Sequence, residues 1–142
     1  MRAMSRDYTQ LRAFNLVDEV VVDVYVLTRS LPEDERYGLQ AQMRRAAVSA
    51  PANIVEGSVR RSDKAYLVYL ETSLGSACEV RYLLRLAVRL GFLKTEEISS
   101  LEARYSDAIR TLQKLIDTIA RSIKSQKRQT RAGESRKPKA ES

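Results

Sequence analysis

Seven apolar residues toward the end of the chain, Ile98, Leu101, Tyr105, Ala108, Leu112, Leu115 and Ile119, recur at alternating steps of three and four. That spacing keeps one stripe of a helix apolar and predicts a seam of the coiled-coil kind. Thr95 stands where such a helix is capped, and Glu96 and Glu97 follow in its first turn, where carboxylates complement the helix dipole. The pattern stops near Ser125. A second apolar pattern lies upstream, opened by Ser62 as a cap and closed by Gly91. Tyr66, Leu70, Leu74, Ala77, Leu84 and Val88 share one face of it; Tyr69, Val80, Leu83, Ala87 and Leu90 share another. A helix apolar over more than half its circumference lies deep in a bundle or is shared with another subunit.

Residues 14–30 carry a mixed signal. Leu16, Val20, Val24 and Leu27 fall on one helical face, with Asp18, Glu19 and Asp23 as a narrow polar strip. The run EVVVDVYVL within it is rich in β-branched residues and locally fits a strand. The pattern outlasts strand length and has no partner strand elsewhere, which predicts a helix whose propensity is overridden by packing. Leu31-Pro32 breaks the chain, and Glu33, Asp34 and Glu35 open a further helix, expected to run from about Glu33 to Gly57 or slightly beyond. It contains QMRRAAVSAPANIVEG, whose alanines Ala46, Ala47, Ala50 and Ala52 allow close approach of a neighbouring backbone. Pro51 lacks an amide donor and is expected to kink this helix, and Asn53 offers a side chain to satisfy a freed backbone group. Gly75-Ser76 is expected to pack opposite the alanines.

The expected architecture is all-α: an up-down-up-down four-helix bundle with a proline-kinked second helix. Its bounds are a loose lead-in over residues 1–13, the bundle over 14–124, and a basic tail over 125–142. The tail has six basic and two acidic residues and no aliphatic side chain larger than alanine, so it is expected to be disordered.

Composition narrows the chemistry. The 142 residues contain no histidine and one cysteine, which excludes Ser-His-Asp and Cys-His dyads, histidine or multi-cysteine zinc sites and an internal disulfide. No acidic cluster at ligand spacing suggests a metal, so neither a metal, a cofactor nor a catalytic residue is expected. Cys78 reads as a small buried hydrophobe compatible with a reducing cytoplasm. No apolar run approaches a membrane span, and a soluble cytoplasmic protein is expected.

Twenty-five lysines and arginines against 18 acidic residues leave a net charge of +7, which points to polyanionic partners. Arg81, Arg85 and Arg89 form a row at four-residue spacing, with no acid three or four residues from Arg85. Arg44 and Arg45 precede the alanine stretch, and Arg60, Arg61 and Lys64 cluster in the turn after it. The last helix adds Arg110, Lys114, Arg121 and Lys124, and the basic tail follows. Together they are the candidate nucleic-acid contacts, through the phosphate backbone and not through bases. The plainer reading is solvated helix faces with salt bridges between helices. Glu56 and Glu79 are read as register-setting partners of arginines, and Pro51, Asn53, Gly57 and Gly75 as structural.

Leu31-Pro32, Glu35, Tyr37-Gly38-Leu39, Gln42 to Ala46, and Ser49 to Gly57 together resemble the signature of four-helix bundle proteins encoded in 23S rRNA intervening sequences. Tyr66, Leu70, Gly75-Ser76, Glu79 and Leu90-Gly91-Phe92-Leu93 continue the likeness, which covers roughly residues 14–122. Ala50 departs from it, standing where the family usually has a β-branched aliphatic. The resemblance implies a bacterial cytoplasmic four-helix bundle assembled as a pentamer. It also implies fold kinship with the accessory proteins of diversity-generating retroelements, and so a reverse transcriptase or ribosomal component as partner. No catalytic residue carries over. The expected function is therefore a non-enzymatic homo-oligomer that binds nucleic acid, RNA before DNA. The alternative is a protein–protein scaffold whose charge serves solubility or an acidic protein.

Overall fold

The computed structural model describes residues 6–136 and 138. Among them are four α-helices and no strand: α1 (Arg12–Thr28), α2 (Leu39–Ser58), α3 (Asp63–Arg89) and α4 (Thr95–Ser135). Successive helices join through short connections and α1 closes the bundle against α4, so each helix packs on two neighbours, as an up-down-up-down bundle requires. The valine-rich opening segment is helical. Val17, Val20 and Val24 are fully buried beside Ala13, and this burial outweighs the modest helix propensity of valine.

On α4 the buried line is Ile98, Leu101, Tyr105, Ala108, Leu112 and Ile116. It passes from Leu112 to Ile116, leaving Leu115 and Ile119 half-buried at its edge. A straight helix of 3.6 residues per turn drifts off a strict seven-residue repeat in this way. The cap falls one residue before the expected Thr95: Lys94 occupies it, and its amide donates to Glu97 Oε1 at 3.0 Å. Ser62 caps α3 as expected, its hydroxyl accepting the Ala65 amide, and Gly91 turns the chain with a φ of 79°.

The second helix starts later than the acidic cluster suggests. Glu33–Glu35 forms a separate 3-10 turn, and α2 begins after Gly38. Glu35 reaches across the break, its carboxylate accepting the Leu39 amide at 2.9 Å, so the acidic side chain caps α2 from outside it. Pro51 lies buried inside α2. Its missing amide would have served the Ala47 carbonyl. Asn53 does not supply that group; its Nδ2 donates to the Ser49 carbonyl at 2.8 Å. The α2–α3 contact is the close one expected of the alanines. Ser73 donates to the Ala50 carbonyl at 2.7 Å, and the Ser49 and Ser76 hydroxyls meet at 2.8 Å. Gly57 belongs to this seam, because a Cβ there would come within 2.7 Å of Tyr69 Cβ. Gly75 does not belong to it: it is exposed, with open space where a Cβ would stand.

Two expectations about the ends need correction. Residues 6–11 of the lead-in are tied to the bundle, with a 3-10 turn at Tyr8–Gln10 and the Arg6 amide bonded to the Ser58 carbonyl at 3.1 Å. Arg6 also pairs with Asp63 and lies 4.2 Å over the Tyr66 ring. The tail expected to be disordered from 125 is helical as far as Ser135. Lysine, arginine and glutamine are good helix formers, and no glycine interrupts residues 121–132. Residues 1–5, 137 and 139–142 lie outside the described part, including the remainder of the expected tail.

Candidate nucleic-acid interface

The arginine row on α3 divides among three environments. Arg81 is half-buried and donates to the Ser106 hydroxyl at 3.4 Å. Arg85 pairs with Glu102 of α4 at 2.8 Å, and that hydrogen bond and charge hold its pKa above the ordinary arginine value. Arg89 is exposed, 5.9 Å from the Tyr82 ring centroid. The middle of the row is thus neutralised by the neighbouring helix, although 65% of its side chain stays accessible.

Arg44 and Arg45 diverge. Arg44 lies 4.6 Å over the Tyr25 ring, donating to Thr28 Oγ1 at 2.9 Å and to the Tyr25 carbonyl at 3.1 Å. Its Nε and Nη2 donors both point into the α1–α2 junction, so it is a structural clasp. Arg45, next in sequence, faces solvent. Arg110 shares Asp107 with Arg12, and Arg121 donates to the Thr118 hydroxyl at 3.5 Å. Lys114 is exposed. The two carboxylates expected to face arginines do otherwise: Glu79 accepts from Gln42 at 3.2 Å, and Glu56 is exposed, without an ion pair among the described residues.

The remaining cations converge at one end of the bundle. Arg60 lies 4.7 Å over Tyr69. Arg61 and Lys64, at the start of α3, line an open groove of about 710 Å³ whose other wall is Lys127 and Arg131 of α4. Ile123 supplies the apolar part of the lining, and Ser62, Gln126 and Thr130 supply hydroxyl and amide groups. Asp63 also lines it, but its carboxylate is engaged by Arg6, which offsets its charge. The helix register explains the groove. Arg85 opposite Glu102 and Arg81 opposite Ser106 bring the first turn of α3 beside Ile123, so the rest of α4 runs past the bundle end. At ~1.5 Å per residue α4 is roughly 60 Å long against about 25 Å for α1. Between Arg121 and Arg136 this extension has six basic residues and one acidic one.

Lys127 and Arg131 entered the sequence reading only as charge on a basic tail expected to be disordered, not as individual site residues. The readable signal was its helix-favouring composition together with their one-turn spacing. A second open groove, of about 590 Å³, lies at the opposite end between Tyr82, Val88 and Arg89 of α3 and Ile98 of α4. No group of three acidic or cysteine side chains among the described residues could hold a metal ion. No helix among them is long and apolar enough to cross a membrane.

Comparison with known proteins fits this architecture. Residues 9–114 match the 23S rRNA-intervening sequence protein family. No curated protein matches the chain. Among solved structures, a protein of unknown function from the S23 ribosomal protein family of Bacteroides thetaiotaomicron is similar in fold. It has a TM-score of 0.66 and 22% identity, over 73% of this chain and 97% of that one. With three quarters of the sequence matched and the same helical fold, this chain belongs to the 23S rRNA-intervening sequence protein family.

Proposed function

We propose that this chain is a non-enzymatic nucleic-acid-binding accessory protein that works as a homo-oligomer in the cytoplasm, with structured RNA as its ligand. The observation that carries this reading is the convergence, at one bundle end, of cations without an ion pair among the described residues, beside a helical extension of strongly basic composition. Such a surface attracts phosphates without reading bases, since neutralising the backbone releases condensed counterions. Assembly is supported by an apolar strip on α1, where Val22 is 67% exposed, Val26 52% and Tyr25 39%. Contiguous exposed apolar side chains of this kind mark interaction surfaces. The family resemblance gives five copies as the expected number.

The same α1 strip favours a second reading, a homo-oligomeric scaffold that makes no nucleic-acid contact. Native mass together with the ultraviolet absorbance ratio of protein purified at low salt separates them. A multimer carrying polynucleotide that high salt strips off supports the accessory role. A multimer free of polynucleotide favours the scaffold, and a monomer contradicts assembly in both.

A further inference from the structure

The α4 wall of the basic groove lies beyond the family match, whereas its α3 wall lies within it. The family match ends at Lys114, and the similar solved structure is almost wholly covered by 73% of this chain. The α4 wall of the groove, with Lys127 and Arg131, is therefore an addition to the common bundle, laid against the α2–α3 turn that the bundle already has. We propose that this addition creates a phosphate-backbone site for one strand of RNA, gripped between Arg61 and Lys64 on one side and Lys127 and Arg131 on the other. The proposal rests on the nucleic-acid reading above and assigns it a place.

Four features single out this ligand. All four cations are exposed, and none forms an ion pair with another described residue, so their charge is available. Arg61 in the α2–α3 turn and Lys64 in the first turn of α3 face Lys127 and Arg131 of α4 across a common groove, so a strand between them meets charge from both sides. Lys127 and Arg131 are one helical turn apart, ~6 Å along the axis, a spacing of the order of successive phosphates. Ser62 and Thr130 add hydroxyl donors for phosphate oxygens. An acidic amphipathic helix would need an apolar bed, and the groove offers Ile123 alone. A membrane surface would need apolar side chains to insert, and α4 has none larger than alanine beyond Ile123.

The test is fluorescence anisotropy of a labelled RNA hairpin with the full-length chain, across a salt series. The triple variant Lys64→Gln, Lys127→Gln, Arg131→Gln should lose about tenfold or more in affinity, and its salt slope should shallow by roughly two to three. A control triple of exposed cations elsewhere, Arg29→Gln, Arg36→Gln and Lys94→Gln, should change affinity less than about threefold by the same reckoning. All six positions are exposed, so the helical circular dichroism should be unchanged. Wild-type affinity in the groove triple, with the wild type binding normally, overturns the site and leaves the nucleic-acid reading standing. Failure of the wild type to bind any hairpin overturns both. Binding to vesicles of phosphatidylcholine and phosphatidylglycerol but not to RNA, lost in the groove triple, reassigns the groove to lipid headgroups and overturns the RNA assignment.

Discussion

Arg85 reaches 2.8 Å across to Glu102, a carboxylate 17 positions away and on the next helix, where no spacing rule within α3 would look for it. The most regular basic row in the sequence is therefore partly spent on holding α3 against α4. Arg85→Gln should leave RNA affinity within about twofold, since one partly neutralised cation adds little to backbone attraction. Titration of the variant against the same hairpin checks this. The thermal midpoint should barely move, because an exposed ion pair contributes little to stability.

Gly57 and Gly75 are both helical glycines, and they should respond in opposite ways to alanine. At Gly57 the added methyl meets Tyr69 Cβ at 2.7 Å and Tyr66 Cδ1 at 3.1 Å, forcing α2 from α3. Gly57→Ala should cost about 1–3 kcal/mol, as overpacking does. At Gly75 the methyl enters open space, and Gly75→Ala should gain about 0.5–1 kcal/mol from helix propensity. Paired urea melts measure both.

The Arg44 clasp predicts a distinct sensitivity. Arg44→Lys keeps the charge but loses the planar fork that stacks on Tyr25 while bonding Thr28 and the Tyr25 carbonyl. It should cost about 1–2 kcal/mol in the same melts and leave hairpin affinity near that of the wild type.

Tyr105 is fully buried in α4, and its hydroxyl has no hydrogen-bond partner among the described residues. Burial pushes its pKa well above the ordinary tyrosine value, outweighing the opposing charge of Arg104. A phenol that holds its proton more tightly when folded stabilises the fold below the unfolded pKa, and that contribution is lost as pH rises toward the folded one. Stability should therefore fall above about pH 10. Tyr105→Phe should be neutral or stabilising by up to about 1 kcal/mol at pH 7, since no bond is lost. It should also flatten the alkaline decline. Thermal melts of both proteins from pH 7 to 11 check the pair of outcomes.

Much of the bundle was legible because its signals are local. Ser62 and Gly91 mark the ends of α3 by their own chemistry, and the α4 seam is visible in spacing alone. Gly38 was harder. It breaks the helix expected from Glu33 only because the Glu35 carboxylate caps Leu39 from outside, a geometry that spacing does not reveal. Leu16 and Leu27 were placed on the inner face of α1, yet Val17 and Thr28 are the buried neighbours, a rotation set by packing on α2 and α4. The candidate interface was less legible for the same reason. Arg44 and Arg85 look alike to Arg61 in sequence, and only tertiary partners separate a clasp and a bridge from a cation without an ion pair among the described residues. Lys127 and Arg131 were hidden by a change of pattern, because an exposed helix has no apolar period to announce it.

The proposed meeting of this bundle with a polyanion through its cationic end stands or falls on the affinity of the full-length chain for an RNA hairpin over a series of salt concentrations. Four groove cations, each contributing ~0.7 to 0.9, predict that log affinity falls linearly with log salt with a slope near −3 or steeper. A flat profile, or no binding at the lowest salt, would contradict it.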